Sequence, residues 1–442
     1  MTMDATVAPF SAAGTLRAPS SKSQAHRLLV CSAIAPGPTT LTCPDVSQDV
    51  AATISCLEAL GCRVSREGNA LRVVPLPGTG ATDNPRQAVP DADLDCRESG
   101  TTWRIMLALL AALGSGGRLH ASGRLAERPV APLRDQLCAH GAAVSAAGSN
   151  PLEVSGSLRP GRFELPGDVS SQFASALMLC APLLAGPVEV LVRRPVASAP
   201  YLDMTADALR LFGAGVIRAD GTCADGAAAD AWLVSAPHGL VSPGEARVGG
   251  DWSAAAFWLA ADALGAGVGV RGLDPGSHQA DRLVVGMLGR MGVRVACHGG
   301  TWLREGPSEP RGAVLDVTAS PDLVPPLAAV AALARGTTEF VGASRLRDKE
   351  SDRIASVTGA LRALGADADE MPEGLVVRGA TSLRGGTVDP CGDHRIAMMA
   401  CVLATRCESP VTVLGAQCVA KSYPRFLDDL RAVGADVRRE GR

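Results

Sequence analysis

Apolar and polar positions along this chain form a pattern that repeats six times. Each repeat contains an apolar helical segment that ends at a glycine, followed by a small residue and a return to strand-forming residues. A glycine at this place suits the left-handed residue that ends a helix and releases the chain into a strand. The six phrases are residues 57–64, 137–144, 209–216, 288–295, 361–368 and 430–437, and their glycines are Gly61, Gly141, Gly213, Gly292, Gly365 and Gly434. The pattern predicts six related α/β units.

A second helical segment precedes each phrase, and each begins with polar residues that suit a helix cap. The segments that follow, such as residues 174–184 and 327–334, are apolar all round, so we expect buried helices. If the units pack symmetrically, several helix N-termini converge, and their free N–H groups and dipoles favour anions. The six polar starts contain Ser21, Ser99, Ser170, Asp251, Asp322 and Asp393.

The chain length favours two domains with three units in each. A chain of 442 residues exceeds the size at which single hydrophobic cores stop growing. Residues 241–250, which contain proline and glycine, lie between the third and fourth units and form the best candidate boundary. The expected class is therefore α/β (α+β).

Composition excludes several classes of protein. Apolar residues make up 47% and charged residues 20% of the chain, as in a globular protein. A net charge of −3 provides no broad basic field, so we expect no nucleic acid partner. Residues 173–192 are apolar, but two prolines, a glycine and a glutamate interrupt them, so we expect no membrane span.

The 13 cysteines are scattered singly, without the spacing of a zinc site. We interpret them as buried thiols. Their odd number, and the absence of a cationic and apolar leader before Phe10, favour a cytoplasmic enzyme over a secreted one.

Lysine is rare in this chain and occurs only in polar clusters. Of the 42 lysine and arginine residues, only Lys22, Lys349 and Lys421 are lysines, and each stands at a predicted helix start. An ammonium group differs from a guanidinium as a phosphate contact and as a proton donor. We interpret the three lysines as functional, although three ordinary surface lysines would give the same count.

Two carboxylates among these cations could move protons. Asp322 opens a predicted buried helix, and Glu350 directly follows Lys349. The alternative role for both is helix capping or a place in a first turn. His394 more often represents a packed histidine than a base, and the GxGxxG match at residues 267–272 does not open a helix, so neither is taken as a site.

With these clusters assembled, the chain resembles the 5-enolpyruvylshikimate-3-phosphate (EPSP) synthase family, also called 3-phosphoshikimate 1-carboxyvinyltransferases, nearly end to end. The segments that carry the resemblance are SKSQAHR at 21–27, SGTTWR at 99–104, RLAERP at 124–129, GDVSSQF at 167–173, DKESDR at 348–353, DHRIAM at 393–398 and AKSYP at 420–424. Several such segments in the right order form a specific signal.

The resemblance implies a two-domain inside-out barrel of six βαβαββ units. Residues 1–19 and 244–442 would form domain I, and residues 20–243 domain II. It also implies transfer of the enolpyruvyl group of phosphoenolpyruvate to the 5-hydroxyl of shikimate 3-phosphate, with release of phosphate, in the shikimate pathway that leads to chorismate and the aromatic amino acids. No metal or organic cofactor is implied, and the protein would act as a monomer on small-molecule substrates.

The resemblance also assigns site residues by position. Asp322 would accept the hydroxyl proton, and Glu350 with Lys22 would exchange protons at the methylene of phosphoenolpyruvate. The residues assigned to phosphoenolpyruvate are Lys22, Gly100, Arg124, Gln172, Arg353, Arg395 and Lys421. The residues assigned to shikimate 3-phosphate are Ser23, Arg27, Ser170, Ser171, Ser198, Tyr201, Asp322 and Lys349.

Some positions depart from the usual family pattern. Glu98 stands where many relatives carry Asn, Arg345 stands where Asn occurs in some, and Ser21 replaces a common Gly. A carboxylate at Glu98 beside an anion pocket needs a partner, for which Arg97 and Arg104 are candidates. These changes leave the reaction class intact but affect individual substrate contacts and sensitivity to glyphosate.

Rival functions are a same-fold enzyme that transfers enolpyruvyl to UDP-N-acetylglucosamine, an anion-binding protein without catalysis, and an enzyme of a specialised pathway with a related cyclohexene substrate. The first family places a cysteine in the loop before an RPV segment. Here Arg124 occupies that loop, and the nearest cysteine, Cys138, lies in the following helix. The near-complete set of site residues favours catalysis over binding alone.

Overall fold

The computed structural model describes residues 3–78, 91–307 and 309–441. Contacts divide the chain into two compact units. Unit 1 comprises Met1–Pro19 and Gly249–Arg442, and unit 2 comprises Ser20–Val248. The strand Glu245–Arg247 runs parallel to Thr39–Thr42 and so belongs to unit 2, although the sequence prediction ended that domain at residue 243.

The described part of the chain contains twelve α-helices, six in each unit. In unit 2 they are α1 (Lys22–Ile34), α2 (Gln48–Ala59), α3 (Gly100–Leu113), α4 (Ala131–Ala139), α5 (Ser171–Cys180) and α6 (Pro200–Leu211). In unit 1 they are α7 (Trp252–Ala263), α8 (Val284–Arg290), α9 (Val324–Ala331), α10 (Arg353–Ala363), α11 (His394–Leu403) and α12 (Phe426–Ala432).

Within residues 3–78, 91–307 and 309–441, the strands form six four-stranded sheets. In spatial order, the sheets of unit 2 are Glu245–Arg247, Thr39–Thr42, Ala70–Val74, Arg63–Glu67; Ala92–Asp95, Gly117–His120, Leu152–Gly156, Ala142–Val144; and Gly161–Leu165, Val188–Arg193, Ala228–Ser235, Gly215–Thr222. Those of unit 1 are Arg294–His298, Thr301–Glu305, Gly267–Arg271, Ala13–Arg17; Val314–Asp316, Thr337–Val341, Gly374–Arg378, Asp367–Met371; and Gly386–Val388, Val411–Val413, Met3–Val7, Val437–Gly441.

Each sheet combines one parallel pair with two antiparallel pairs. Ala92–Asp95, for example, is parallel to Gly117–His120, and a hairpin of two further strands completes that sheet. A parallel pair needs a crossover, which a helix supplies, so this stretch reads strand, helix, strand, helix, strand, strand. The predicted α/β fold of six related units is confirmed; their arrangement as an inside-out barrel stays a prediction.

Two sheets of unit 1 take strands from the start of the chain. Ala13–Arg17 forms the parallel pair with Gly267–Arg271, and Met3–Val7 lies between Val411–Val413 and Val437–Gly441. Unit 1 is therefore discontinuous in sequence, whereas unit 2 is a single segment.

The glycines that end the six phrases have the predicted conformation. All six have positive φ angles, between 80° at Gly292 and 107° at Gly434. A β-carbon is disfavoured there, which explains why glycine recurs at the transition from helix to strand.

Each unit has a hydrophobic core of its own. The helices α1, α3 and α5 are largely buried in unit 2, and α7, α9 and α11 are largely buried in unit 1, as their all-round apolar pattern predicts. The larger buried clusters follow the same division, one within each unit. Among the described residues, no helix is both long enough and apolar enough to cross a membrane.

Candidate active site

The first turns of the three buried helices of unit 2 carry predicted site residues. Ser21, Ser99 and Ser170 are their N-caps, and each serine hydroxyl accepts a hydrogen bond from a backbone N–H of the first turn, at 3.3 to 3.4 Å. The residues next in sequence, Lys22, Gly100 and Ser171, therefore stand where helix dipoles favour anions.

Lys22 forms an ion pair at the start of α1. Its Nζ lies 2.9 Å from Oδ2 of Asp49, which is in the first turn of α2. The Lys22 side chain is 17% exposed and that of Asp49 9%. The pair is therefore partly exposed, and some of the Lys22 side-chain surface remains accessible.

Gly100 lies between two guanidinium groups. A β-carbon at Gly100 would approach Nη1 of Arg104 to 2.7 Å and Nη1 of Arg128 to 2.8 Å. Arg104 in turn donates to Oε1 of Gln172 at 2.8 Å, and Gln172 donates to Thr101 at 3.1 Å. The starts of α3 and α5 thus meet at a cationic surface that only glycine leaves open.

Arg128, which the sequence analysis did not assign to the site, lies close to Gly100. The assigned Arg124 is half exposed, and its Nε lies 3.7 Å from a carboxylate oxygen of Glu127. Arg128, four residues on in the same RLAERP segment, is the one at Gly100, and its Nε is buried without a hydrogen-bond partner in the described structure. The segment contains both arginines, so spacing within it could not separate them.

Arg27 lies inside unit 2, one turn beyond Ser23. Its guanidinium donates to the Ser23 carbonyl, to Ser175 and Thr205, and to the Tyr201 carbonyl, at 2.7 to 3.0 Å. Burial lowers the pKa of Arg27 to about 10, so it remains charged at neutral pH. The arginine connects α1, α5 and α6 at the end where the predicted residues lie.

Ser198, which precedes α6, has a backbone conformation that L-residues rarely adopt. Its φ angle is 60°, and the residue is buried. Its carbonyl accepts from the Tyr201 N–H at 3.1 Å. Backbone strain of this kind is maintained where the surroundings fix it, and it places Ser198 beside the first turn of α6.

In unit 1, Asp322 is surrounded by cations. Its carboxylate accepts from Arg353 at 2.7 Å and from Arg395 at 3.0 Å, and Nζ of Lys349 lies 3.6 Å away. Burial opposes ionisation of Asp322, but Arg395, Lys349 and Arg353 outweigh it and hold its pKa well below the ordinary value. Asp322 lies in a 3₁₀ turn, Pro321–Leu323, and its carboxylate binds side-chain cations, which favours the functional interpretation over helix capping.

Arg353 links three carboxylates in the interior of unit 1. It donates to Asp322, to Glu350 at 2.6 Å and to Asp393 at 2.8 Å, and its side chain is 1% exposed. Burial disfavours its charge, but Asp393, Glu350 and Asp322 raise its pKa above the ordinary value. Asp393 also caps α11, because its carboxylate accepts a hydrogen bond from the Arg395 N–H. This network therefore fixes the position of Arg395 at the start of α11.

Lys421 ends a 3₁₀ helix, Ala416–Lys421, and is buried. Two residues later Tyr423 is fully buried; its hydroxyl donates to Asp429 at 2.6 Å and accepts from Trp258 at 3.2 Å. Tyr423 therefore anchors the segment that carries Lys421.

At the N-terminus of α7, side chains of the protein itself accept hydrogen bonds from the backbone N–H groups. Asp251 accepts from the Ala254 N–H, and the Gln279 side chain accepts from the Trp252 N–H, both at 2.9 Å. Two backbone N–H groups at the N-terminus of α7 are thus bonded by the protein's own side chains, and the resemblance assigned no site residue there.

Two of the three residues that depart from the family pattern, Glu98 and Arg345, lie next to site segments. A β-carbon at Gly123 would approach Oε1 of Glu98 to 2.7 Å, so the Glu98 carboxylate lies against the turn that precedes Arg124. Arg104, one partner expected for it, donates to Gln172 and to the carbonyls of Gly100 and Pro129. Arg345 donates to the Thr318 carbonyl and ties down the segment that leads to Asp322.

Comparison with known proteins identifies the family. A family model described as EPSP synthase (3-phosphoshikimate 1-carboxyvinyltransferase) matches residues 8–430. A protein of Clostridium kluyveri named 3-phosphoshikimate 1-carboxyvinyltransferase is 35% identical over 97% of both chains, and one of Halobacterium salinarum with that name is 38% identical over 98% of this chain and 100% of its own. The fold is similar to a solved structure of EPSP synthase from Acinetobacter baumannii, with a TM-score of 0.76 and 24% identity over the full length of both chains. The chain belongs to the EPSP synthase (3-phosphoshikimate 1-carboxyvinyltransferase) family.

Proposed function

We propose that this enzyme transfers the enolpyruvyl group of phosphoenolpyruvate to the 5-hydroxyl of shikimate 3-phosphate and releases phosphate. The relatives that match nearly the whole chain carry the name of this activity. The observation on which the proposal most depends is the Asp322 carboxylate, ionised and in contact with Arg353, Arg395 and Lys349. A base held among cations suits a reaction in which a hydroxyl loses its proton beside bound anions.

The reaction requires an acid that acts at the methylene carbon of phosphoenolpyruvate and a base that acts at the 5-hydroxyl oxygen of shikimate 3-phosphate. Protonation of the phosphoenolpyruvate methylene makes C2 electrophilic, and the 5-oxygen attacks C2 as its proton passes to Asp322. The resulting tetrahedral adduct then loses a proton from the new methyl group and its phosphate, which restores the double bond. We assign the methylene proton transfers to Glu350 and Lys22.

Substrate binding would also activate Asp322. Its low pKa makes it a weak base in the free protein, because three cations stabilise its charge. A bound phosphate or carboxylate shares those cations, so the pKa of Asp322 rises towards the ordinary range of an aspartate. The base would thus become effective when substrate is present.

The anions of the two substrates are assigned to these cations and helix starts. For phosphoenolpyruvate we propose Lys22, Gly100, Arg128, Gln172, Arg353, Arg395 and Lys421, with Arg128 in place of Arg124. For shikimate 3-phosphate we propose Ser23, Arg27, Ser170, Ser171, Ser198, Tyr201, Asp322 and Lys349. Arg27 and Arg353 also donate to several protein groups, so in addition to their proposed substrate contacts they order their neighbours.

Replacing each arginine of the RLAERP segment tests the change of assignment. We expect Arg128→Ala to lower kcat/KM for phosphoenolpyruvate by on the order of a hundredfold, as the loss of a charged ligand contact of about 3 kcal/mol would do. Arg124→Ala, which removes a half-exposed side chain, should cost much less. The reverse order of losses in steady-state kinetics would return the assignment to Arg124.

The activity is tested by incubating the protein with phosphoenolpyruvate and shikimate 3-phosphate and measuring phosphate release. A parallel reaction with UDP-N-acetylglucosamine as acceptor tests the rival transferase. Turnover with the second acceptor alone would refute the proposal. Calorimetric binding of shikimate 3-phosphate without turnover would favour an anion-binding protein.

We also propose that the two compact units are the two domains of the family and that the enzyme acts as a monomer in the cytoplasm, without a metal or organic cofactor. All 13 cysteines are free thiols, which suits a reducing compartment. Sedimentation at micromolar concentration would test the monomer, and activity after exhaustive chelation would test independence from metals.

A further inference from the structure

Two polar contacts between α1 and α2 lie one helical turn apart. Nζ of Lys22 is 2.9 Å from Oδ2 of Asp49, and Nδ1 of His26 is 2.7 Å from Oγ1 of Thr53. His26 follows Lys22 by four residues, and Thr53 follows Asp49 by four. Residues four apart share a helix face, so the two contacts form successive rungs of one helix interface.

The inner rung is fully buried and continues into α3. His26 and Thr53 are both 0% exposed. Oγ1 of Thr53 lies 2.7 Å from Oγ1 of Thr102, which donates to Oγ of Ser99 at 2.7 Å and lies 3.3 Å from the Asp49 carbonyl. A continuous hydrogen-bonded chain therefore connects His26 to the N-cap of the helix that begins with Gly100.

His26 takes part through one nitrogen and without charge. Its Nε2 is buried and has no hydrogen-bond partner among the described residues. The single hydroxyl proton of Thr102 goes to Ser99 or to the Asp49 carbonyl, so Thr53 donates to Thr102 and accepts from Nδ1–H of His26. Burial, with Lys22 and Arg27 nearby, holds the pKa of His26 well below its ordinary value, which keeps the imidazole neutral.

We propose that His26 is a positioning residue for Lys22, and that the His26–Thr53–Thr102 chain fixes the register of α1 against α2 and α3. This inference rests on the proposed function, in which Lys22 contacts substrate. A lysine side chain is flexible, and a partly exposed ion pair orders it only weakly. The buried rung supplies the rigidity that the Lys22–Asp49 pair lacks.

Three variants separate positioning from packing. His26→Leu keeps an apolar side chain of similar size but removes the rung. His26→Asn keeps the hydrogen bond to Thr53, because the Asn amide nitrogen stands close to the place of Nδ1. Ser32→Ala is the matched control, since it removes another buried hydrogen bond of α1, from Ser32 to the Leu28 carbonyl at 2.7 Å, ten positions beyond Lys22.

We expect His26→Leu to lower kcat for phosphate release by about tenfold to a hundredfold, since displacing a catalytic group by about 1 Å can cost up to a hundredfold. His26→Asn should restore kcat to within about threefold of wild type, and Ser32→Ala should leave kcat unchanged even if its melting temperature falls. Thr53→Val should lower kcat about as much as His26→Leu does. The double variant His26→Leu/Thr53→Val should have a kcat no lower than that of Thr53→Val alone.

The measurements are kcat and KM for phosphoenolpyruvate at saturating shikimate 3-phosphate, with the melting temperature of each variant. If His26→Leu fails to fold, His26→Gln replaces it, because its amide reaches the place of Nε2 and misses Thr53. Wild-type turnover with unchanged kcat in the rung variants, or a loss in His26→Asn as large as in His26→Leu, would overturn the positioning role alone. Absence of wild-type turnover would overturn the proposed function and this inference with it.

Discussion

Gly100 is important to the proposed site because it has no β-carbon. The space where a β-carbon would stand is bounded by the Arg104 and Arg128 guanidinium groups, at 2.7 and 2.8 Å. Gln172 and the Pro129 carbonyl hold Arg104, so it cannot retreat without loss of hydrogen bonds. A methyl group here would enter the cationic surface itself.

We therefore expect Gly100→Ala to raise KM for phosphoenolpyruvate by about tenfold or more, equivalent to about 1.4 kcal/mol of binding. The free energy of unfolding should fall by about 1 kcal/mol or more, because the arginines must shift to admit the β-carbon and Arg104 then loses hydrogen bonds. Kinetics and denaturant unfolding of the same preparation check both effects. Unchanged KM and unchanged stability would show that the arginines move aside without cost, and would contradict the prediction.

Asp322 gives the stability of the protein a defined dependence on pH. Its pKa in the folded protein is below the ordinary value, so folding favours the ionised form. That contribution is complete above about pH 4, the ordinary pKa of an aspartate, and is lost as the pH falls through the folded value. Each unit of lowering is worth about 1.4 kcal/mol.

The variant Asp322→Asn isolates this contribution. The difference in unfolding free energy between wild type and variant should be constant from pH 8 to about pH 5 and should shrink below about pH 4. Chemical denaturation at a series of pH values measures it. A difference that grows with acidification would show that folding does not favour the ionised form of Asp322.

At the scale of elements, the sequence predicted helices better than contacts. The six glycines and the serine caps could be located because each depends on backbone conformation, which local sequence determines. The approach of Arg128 to Gly100 could not be predicted, because it depends on how the turn after Gly117–His120 returns towards α3. The contacts of Arg27 could not be predicted either, because its partners on α5 and α6 are distant in sequence.

A buried tyrosine illustrates how elements hold a site segment in place. The Tyr423 hydroxyl joins α7 to α12 through Trp258 and Asp429, and burial, with the charge of Asp429, raises its pKa well above the ordinary value. Removal of the hydroxyl would leave the Asp429 carboxylate with fewer donors in a buried place. Arg425, at 3.1 Å, would remain as its partner.

Tyr423→Phe should therefore lower the free energy of unfolding by about 2 to 4 kcal/mol, the cost of a buried hydrogen bond to a charged group with its orphaned neighbours. The midpoint of urea unfolding, with an unchanged m value, is the measurement. A loss under about 0.5 kcal/mol would mean that water replaces the hydroxyl.

At the scale of the whole molecule, each of the two large hydrophobic cores is built from residues of one unit only. The buried cluster of unit 2 uses residues between Ala25 and Val248, and all three sheets of that unit are complete within Ser20–Val248. The two-domain expectation came from chain length and repeat number, whereas the expectation that residues 1–19 belong to domain I came only from the family resemblance. Unit 1 takes two of its strands from residues 3–17.

We expect the fragment 20–248 to fold cooperatively by itself and to have no turnover, because Asp322, Lys349 and Arg395 are outside it. A sigmoidal thermal transition by circular dichroism, and dispersed amide resonances, would support this. The matched fragment 249–442 lacks the strands Met3–Val7 and Ala13–Arg17 and should be markedly less stable. A fragment 20–248 without a cooperative transition would contradict the prediction.

The strand Met3–Val7 also has a consequence for biosynthesis. Thr6 faces Thr412, which is translated 406 residues later. During synthesis this strand must wait without its neighbours while all of unit 2 emerges from the ribosome and can fold. Until those neighbours are synthesised, the strand exposes unpaired backbone groups. The nascent chain, rather than the finished enzyme, is therefore the form that most needs a chaperone.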